Sequence, residues 1–144
     1  MSNVMIRQLQ EQDLLNGFMI SLDSLYKTSN MAEHAAKEIF RKITADSNHT
    51  IIVADIDGLV VGCATILVEQ KFIHDGAKAA HIEDVSVSGR YQGMGIGKKI
   101  ISYALSYAKS RGCYKTVLYC ADEVRPFYEK QGFKCHTNAL RFDH

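Results

Sequence analysis

Apolar residues follow two rhythms along this chain, and the changes of rhythm mark its elements. Residues 4–9 (VMIRQL) predict a short strand. Asp13 stands at a helix start, followed by an apolar-rich run of Leu14, Leu15, Phe18, Ile20, Leu22 and Leu25. A second helix is predicted around residues 31–45, where Ala35, Ile39, Phe40 and Ile43 fall at helical spacing. TIIVAD (50–55) reads as a buried strand, Asp57-Gly58 as a tight hairpin turn, and LVVGCATILVEQ (59–70) as the return strand. A loop over residues 71–78 leads to an alternating strand at 81–87. From Ile96 the positions Ile100, Ile101, Ala104, Leu105 and Ala108 keep helical period until Gly112 stops the run. Residues 115–120 predict a strand. Residues 126–131 predict a short helix, with Pro126 in its first turn and Gly132 at its C-cap. Residues 133–142 predict a final strand.

The order is strand, two helices, three strands, helix, strand, helix, strand. That is a mixed α/β chain with an antiparallel front half and a strand–helix–strand crossover behind it. No repeat or Gly/Ser-rich linker interrupts it, and a single domain over residues 1–144 is expected. A hydrophobic content of 47% is enough for a sizeable core. The formal net charge of +1 removes the simplest argument for nucleic acid or an anionic membrane as partner. Cys63, Cys113, Cys120 and Cys135 form no C-x-x-C pair, and the histidines lack ligand-like spacing, so no metal is expected. The N-terminus MSNVMIRQLQEQD lacks a signal-peptide pattern, and no apolar stretch is long enough for a bilayer. A cytoplasmic protein with reduced thiols is the expectation.

Chemistry enters at Gln92-Gly93-Met94-Gly95-Ile96-Gly97-Lys98, which follows a strand and opens a helix. Glycines let the backbone turn tightly and bring N–H groups to a ligand, and the helix start adds free donors and a positive dipole end. A phosphate or pyrophosphate suits such a cradle. The dinucleotide pattern G-x-G-x-x-G fails, because the third glycine arrives one residue early. The P-loop fails in spacing and has Lys99 where Ser or Thr should stand.

The pattern that fits, Q-x-x-G-x-G, resembles the acetyl-CoA signature of the GCN5-related N-acetyltransferase (GNAT) family, which also uses this element order. The resemblance implies a mixed central sheet with splayed middle strands flanked by helices, with acetyl-CoA as co-substrate. It implies that Val85, Ser86 and Val87 lie along the pantetheine arm while residues 92–98 hold the pyrophosphate. The Val85 N–H is the expected oxyanion donor. Tyr128, in Phe127-Tyr128-Glu129-Lys130, matches the tyrosine near the coenzyme sulfur. A phenol there can protonate the departing thiolate.

KFIHDGAKAAHIEDVSV, YQGMGIGK, GCYKTVLYC and FYEKQGF are similar to the branch of that family that acetylates D-glucosamine 6-phosphate, which feeds amino-sugar nucleotide synthesis. This likeness implies a homodimer in which Lys71, Phe72, Ile73, His74, Glu83, Asp84 and Arg141 meet the acceptor. Arg141 can come from the partner subunit. Adjacent Glu83 and Asp84 face opposite sides of a regular strand, so only a bulge lets both meet one ligand.

Tyr119 departs from the branch, which usually has an acid there to hold the attacking amine. Its backbone carbonyl remains, and Asp122 or Glu123 or a water could supply the rest. Two alternatives follow: a GNAT enzyme for another small amine or a protein N-terminus, and a non-catalytic acetyl-CoA-binding module.

Overall fold

The computed structural model describes residues 3–144 of the chain. Its strands β1 (Val4–Gln8), β2 (His49–Ile56), β3 (Leu59–Gln70), β4 (Lys78–Val87) and β5 (Cys113–Leu118) form one sheet in that order. The first four pair antiparallel, and β5 joins β4 in parallel. A parallel step needs a crossover, which is supplied by the helix α4 (Ile96–Ser110). The β2–β3 turn is the Asp57-Gly58 hairpin. Both residues sit at positive φ, +51° and +91°, and the Asp55 carboxylate receives the Gly58 N–H at 2.6 Å.

Alternation along the strands divides the core between two faces. Ile52, Ala54, Ile66 and Ile82 pack against Ile96, Ile100, Ile101, Ala104 and Ala108 of α4. Spacing of three and four residues puts that set on one helix stripe, and each fully buried isoleucine contributes about 2 kcal/mol. Val53, Val60 and Cys63 face the other way, toward Leu14, Phe18, Met19 and Ala36. The helix carrying Ala36 is α2 (Glu33–Thr44). Arg7 joins the front of the sheet to the first helical segment. It holds Asp13 through two bonds of 2.7 and 2.8 Å, and Asp55 through one of 3.0 Å. Burial pushes the Asp13 carboxyl up, but Arg7 and the Gln10 N–H outweigh this and hold it below the ordinary range.

Three elements differ from the sequence pattern. The first helix is broken into a 3-10 turn (Glu11–Asp13), a π turn (Leu14–Phe18) and α1 (Met19–Leu22). The break falls at Asn16 and Gly17, where the Asn16 amide donates to the Gly58 carbonyl at 2.6 Å and the Gly17 backbone presses on Val60. β4 begins at Lys78 rather than at 81, because β3 and β5 both reach Lys78 and pair with it. The strand expected over 133–142 does not form. Among the described residues, 134–144 make no backbone hydrogen bond to another segment, and Leu140 and Phe142 stand exposed. Within one chain β5 therefore keeps an open edge, with β4 on its other side.

Gly17 and Gly58 separate strain from collision. Both have positive φ, +102° and +91°, but a Cβ at Gly17 would lie 2.1 Å from the Val60 carbonyl oxygen, while one at Gly58 meets nothing within 4 Å. Gly58→Ala is expected to cost about 1 kcal/mol. Gly17→Ala is expected to cost on the order of 3 kcal/mol or more. Equal denaturation midpoints for the two variants would show that α1 can move away from β3.

Candidate active site

Pairing between β4 and β5 stops at Ile82↔Leu118. Residues 83–87 continue along β3 on one side, while on the other side β5 has ended and the chain has left the sheet. The backbone groups on that side have no strand to meet. A ligand with amides of its own, such as a pantetheine arm, can pair them. The same stretch carries a bulge. Cys63 opposes Ser86 and Thr65 opposes Glu83, so two steps on β3 face three on β4. Asp84 takes φ +50° to accommodate the extra residue.

The bulge settles where the acidic pair lies. Glu83 and Asp84 both line one cleft of about 390 Å³ on the α1/α2 face, although regular alternation would have separated them. Beyond the bulge, Val85 and Val87 pack against the α4 side, and Ser86 is buried toward α1.

The glycine loop follows directly. A 3-10 turn (Gly89–Tyr91) leads into the loop, and the Gln92 side-chain amide donates to the Val87 carbonyl at 3.0 Å, tying the loop to the end of β4. Gly93 and Gly95 take φ +78° and +79°, and a Cβ on either would meet nothing within 4 Å. The glycines are thus required by backbone conformation, and the space above them is open to a ligand. Gly95 caps α4, a helix of 15 residues. Ile96 is buried in the core, so only its backbone can serve a ligand. Met94, Lys98 and Lys99 are exposed at the helix start, and Arg90 is exposed just before it.

Tyr128 lies on α5 (Arg125–Glu129), in the core cluster that also holds Ile96 and Ile100 of α4. Phe127 beside it comes within 3.3 Å of where a Gly97 Cβ would be. The Tyr128 ring packs edge-on against Phe127 and Phe133, at centroid distances of 5.0 and 5.8 Å. Burial, and secondly the nearby Cys120, push its phenol above the ordinary range. It therefore stays a protonated donor through neutral pH. Tyr119 is two-thirds exposed just past the end of β5, and it shares a cleft of about 830 Å³ with Cys120, Asp122, Arg125 and Tyr128. Glu123 does not line that cleft.

The remaining expected acceptor residues are not gathered with Glu83 and Asp84. Lys71, Phe72, Ile73 and His74 occupy the β3–β4 turn, which contains the short α3 (Ile73–Gly76). Six residues of strand separate Lys78 from Asp84, which is about 20 Å. Lys71 pairs with Glu69 at 3.2 Å, and His81 binds the other oxygen of that carboxylate at 2.9 Å. His81, first, and Lys71 hold the Glu69 carboxyl below its ordinary range. His74 stacks on Tyr114 at 4.4 Å, and Phe72 is fully exposed. Arg141 is exposed and pairs with its own neighbour Asp143 at 2.6 Å.

Thr28 and Thr65 line the same cleft beside Glu83 and Asp84. Thr65 shows no signal beyond strand alternation. Thr28 lies just past Leu25, where the first apolar run ends, and carries no motif of its own. Its N–H and that of Ser29 are held by Asp23 Oδ1 at 2.7 and 2.9 Å.

Comparison with known proteins agrees with this geometry. Residues 12–133 match the model of the acetyltransferase (GNAT) family. The chain belongs to that family. Among curated relatives, the glucosamine 6-phosphate N-acetyltransferase of Arabidopsis thaliana is 35% identical over 130 residues, covering 88% of this chain and 87% of that one. The enzyme of the same name from Trypanosoma brucei brucei is 41% identical over 86 residues, covering 60% and 58%. The crystal structure of the Arabidopsis thaliana protein superimposes with a TM-score of 0.93 at 31% identity, over 98% of both chains.

The cradle can be tested apart from catalysis. Gly95→Ala introduces a side chain at φ +79° into open space. A folding cost of about 1 kcal/mol is expected, together with at least a tenfold weaker coenzyme A affinity by calorimetric titration. Unchanged affinity would move the pyrophosphate away from this loop.

Proposed function

We propose that the chain transfers acetyl from acetyl-CoA to the amine of D-glucosamine 6-phosphate, giving N-acetyl-D-glucosamine 6-phosphate and coenzyme A. The observation that carries this reading is the unpaired edge of β4 beside the bulge. It sets a donor strand next to the cleft of Glu83 and Asp84. The named relatives and the Arabidopsis thaliana structure support the acceptor.

The neutral amine attacks the thioester carbonyl directly, and no covalent enzyme intermediate is needed. Binding both reactants on one strand provides the orientation such a step requires. The Val85 N–H receives the developing oxyanion. As the tetrahedral intermediate collapses, the C–S bond breaks and Tyr128 gives its proton to the thiolate. Residues 92–98 hold the pyrophosphate, with Val85, Ser86 and Val87 along the pantetheine arm. Tyr119 contributes its backbone carbonyl to the amine, and Asp122 in the same cleft stands in for the missing carboxylate.

The active form is a homodimer. One chain holds the acidic pair about 20 Å of strand away from the Lys71–His74 turn. It also has an open β5 edge and an unpaired arm carrying Leu140, Arg141 and Phe142. A second copy relieves all three at once. The arm covers an edge, and Lys71, Phe72, Ile73, His74 and Arg141 reach the partner's acceptor, where a basic fork suits the phosphate. The four free cysteines fit a reducing cytoplasm. Among the described residues no helix is long and apolar enough to cross a membrane.

Thiol release tests the reaction. A kcat/KM at least 100-fold higher for glucosamine 6-phosphate than for glucosamine is expected. Equal use would remove the phosphate site, and no release with either would favour a coenzyme-binding module. Tyr128→Phe is expected to lower kcat about 100-fold. Because the phenol is raised, the wild-type profile should show no loss from its ionisation below about pH 10. A chain ending at Phe133 is expected to be monomeric by light scattering and inactive on the sugar phosphate. A dimer of that truncated chain would place the interface elsewhere.

A further inference from the structure

A buried hydroxyl on a strand must find partners, and Ser86 finds them in an informative place. It lies one residue past Val85, nearly fully buried, and turns toward α1. Its hydroxyl donates to the Ser21 carbonyl. A hydroxyl has one proton, so toward Ser24 Oγ, 2.5 Å away, Ser86 is the acceptor and Ser24 the donor. The buried Ser21 hydroxyl donates to the Phe18 carbonyl at 2.6 Å and lies 3.6 Å from Cys63 Sγ. The Cys63 thiol approaches the Asp84 carbonyl at 3.9 Å. Burial pushes that thiol up to about 12, so it keeps its proton. These contacts bracket the bulge, with Asp84 before Val85 and Ser86 after it.

The other end of the network is the loop that follows α1. Asp23 closes it on itself by accepting the Thr28 and Ser29 N–H groups, and Thr28 lines the cleft beside Glu83 and Asp84. The loop is thus pinned internally by Asp23 and tied to β4 through Ser24. Ser24 is itself exposed, and Ser86 keeps Ser21 as a partner without it. Burial therefore does not demand the Ser24 hydroxyl.

We propose that Ser24 is a positioning residue for the acceptor: its hydroxyl latches the Thr28 loop to Ser86, holding the acceptor wall in register with the donor strand. The proposal rests on the function given above, and its test separates the two. Ser24→Ala and Ser24→Thr are compared in the full-length protein by steady-state kinetics in each substrate, amide hydrogen exchange at Thr28 and Ser29, and thermal denaturation.

Loss of one hydrogen bond predicts a rise of about 2- to 10-fold in KM for glucosamine 6-phosphate in Ser24→Ala. Exchange at Thr28 and Ser29 should be faster by a similar factor, with KM for acetyl-CoA and Tm unchanged. Ser24→Thr should restore both. The latch is overturned if the acceptor KM and loop exchange do not move, or if both KM values rise together. Should the wild-type protein acetylate no amine, the proposed function fails, and the exchange comparison alone decides the latch.

Discussion

A strand inside a sheet normally has both edges paired, and β4 does not. Its hydrogen bonding to β5 ends at Ile82, while its pairing with β3 continues to Val87. Five residues of backbone are therefore left with one open edge in the middle of the molecule. Polar backbone in that position must be met by water or by a ligand with matching donors and acceptors. The surrounding elements are arranged about this opening. The Gln92 amide fastens the glycine loop to its far end, and α5 places Tyr128 in the cleft that Tyr119 and Cys120 line just past β5. The bulge at Asp84 turns the near end so that Glu83 and Asp84 line one cleft.

The two faces of the sheet divide the labour. The α4 face is apolar and tightly filled, with its isoleucines fully buried, and it makes a rigid base for the helix start and the glycine loop. The α1/α2 face is less regular. Its helix breaks where Gly17 meets Val60, and its polar groups are gathered into the Ser21, Ser24 and Ser86 hydroxyls and the Asp23-pinned loop. The glycine-loop side thus rests on close packing. The cleft of Glu83 and Asp84 rests on a few hydrogen bonds, which makes it the part most easily altered by substitution.

Much of this was legible in the chain. Hairpin chemistry at Asp57-Gly58, the four-residue beat of α4 and the Q-x-x-G-x-G spacing are local features, and each appears where its residues predicted. The branch-specific segments likewise pointed to the relatives found. The bulge was not legible, because it arises from the register between β3 and β4 and leaves no mark in either strand alone. Nor was the break at Asn16 and Gly17, since an apolar run reads as helix until β3 is seen pressing against it. Residues 133–142 have the composition of a strand, but a strand exists only against an edge. Within one chain that segment pairs with none, although β5 leaves an edge open.

The sequence by itself determined the order of β1 to β5 with α4 between the last two, the glycine loop that opens α4 and the identity of the chemical groups, because propensity, glycine conformation and side-chain type act over a few residues. Only the tertiary structure decided that β4 would stand open beside β5 and that Glu83 and Asp84 would share a cleft. It also decided that Ser24 would bind a hydroxyl 62 residues away. Those outcomes depend on which strand edges meet and where they stop meeting, and that competition is resolved among distant segments as they pack.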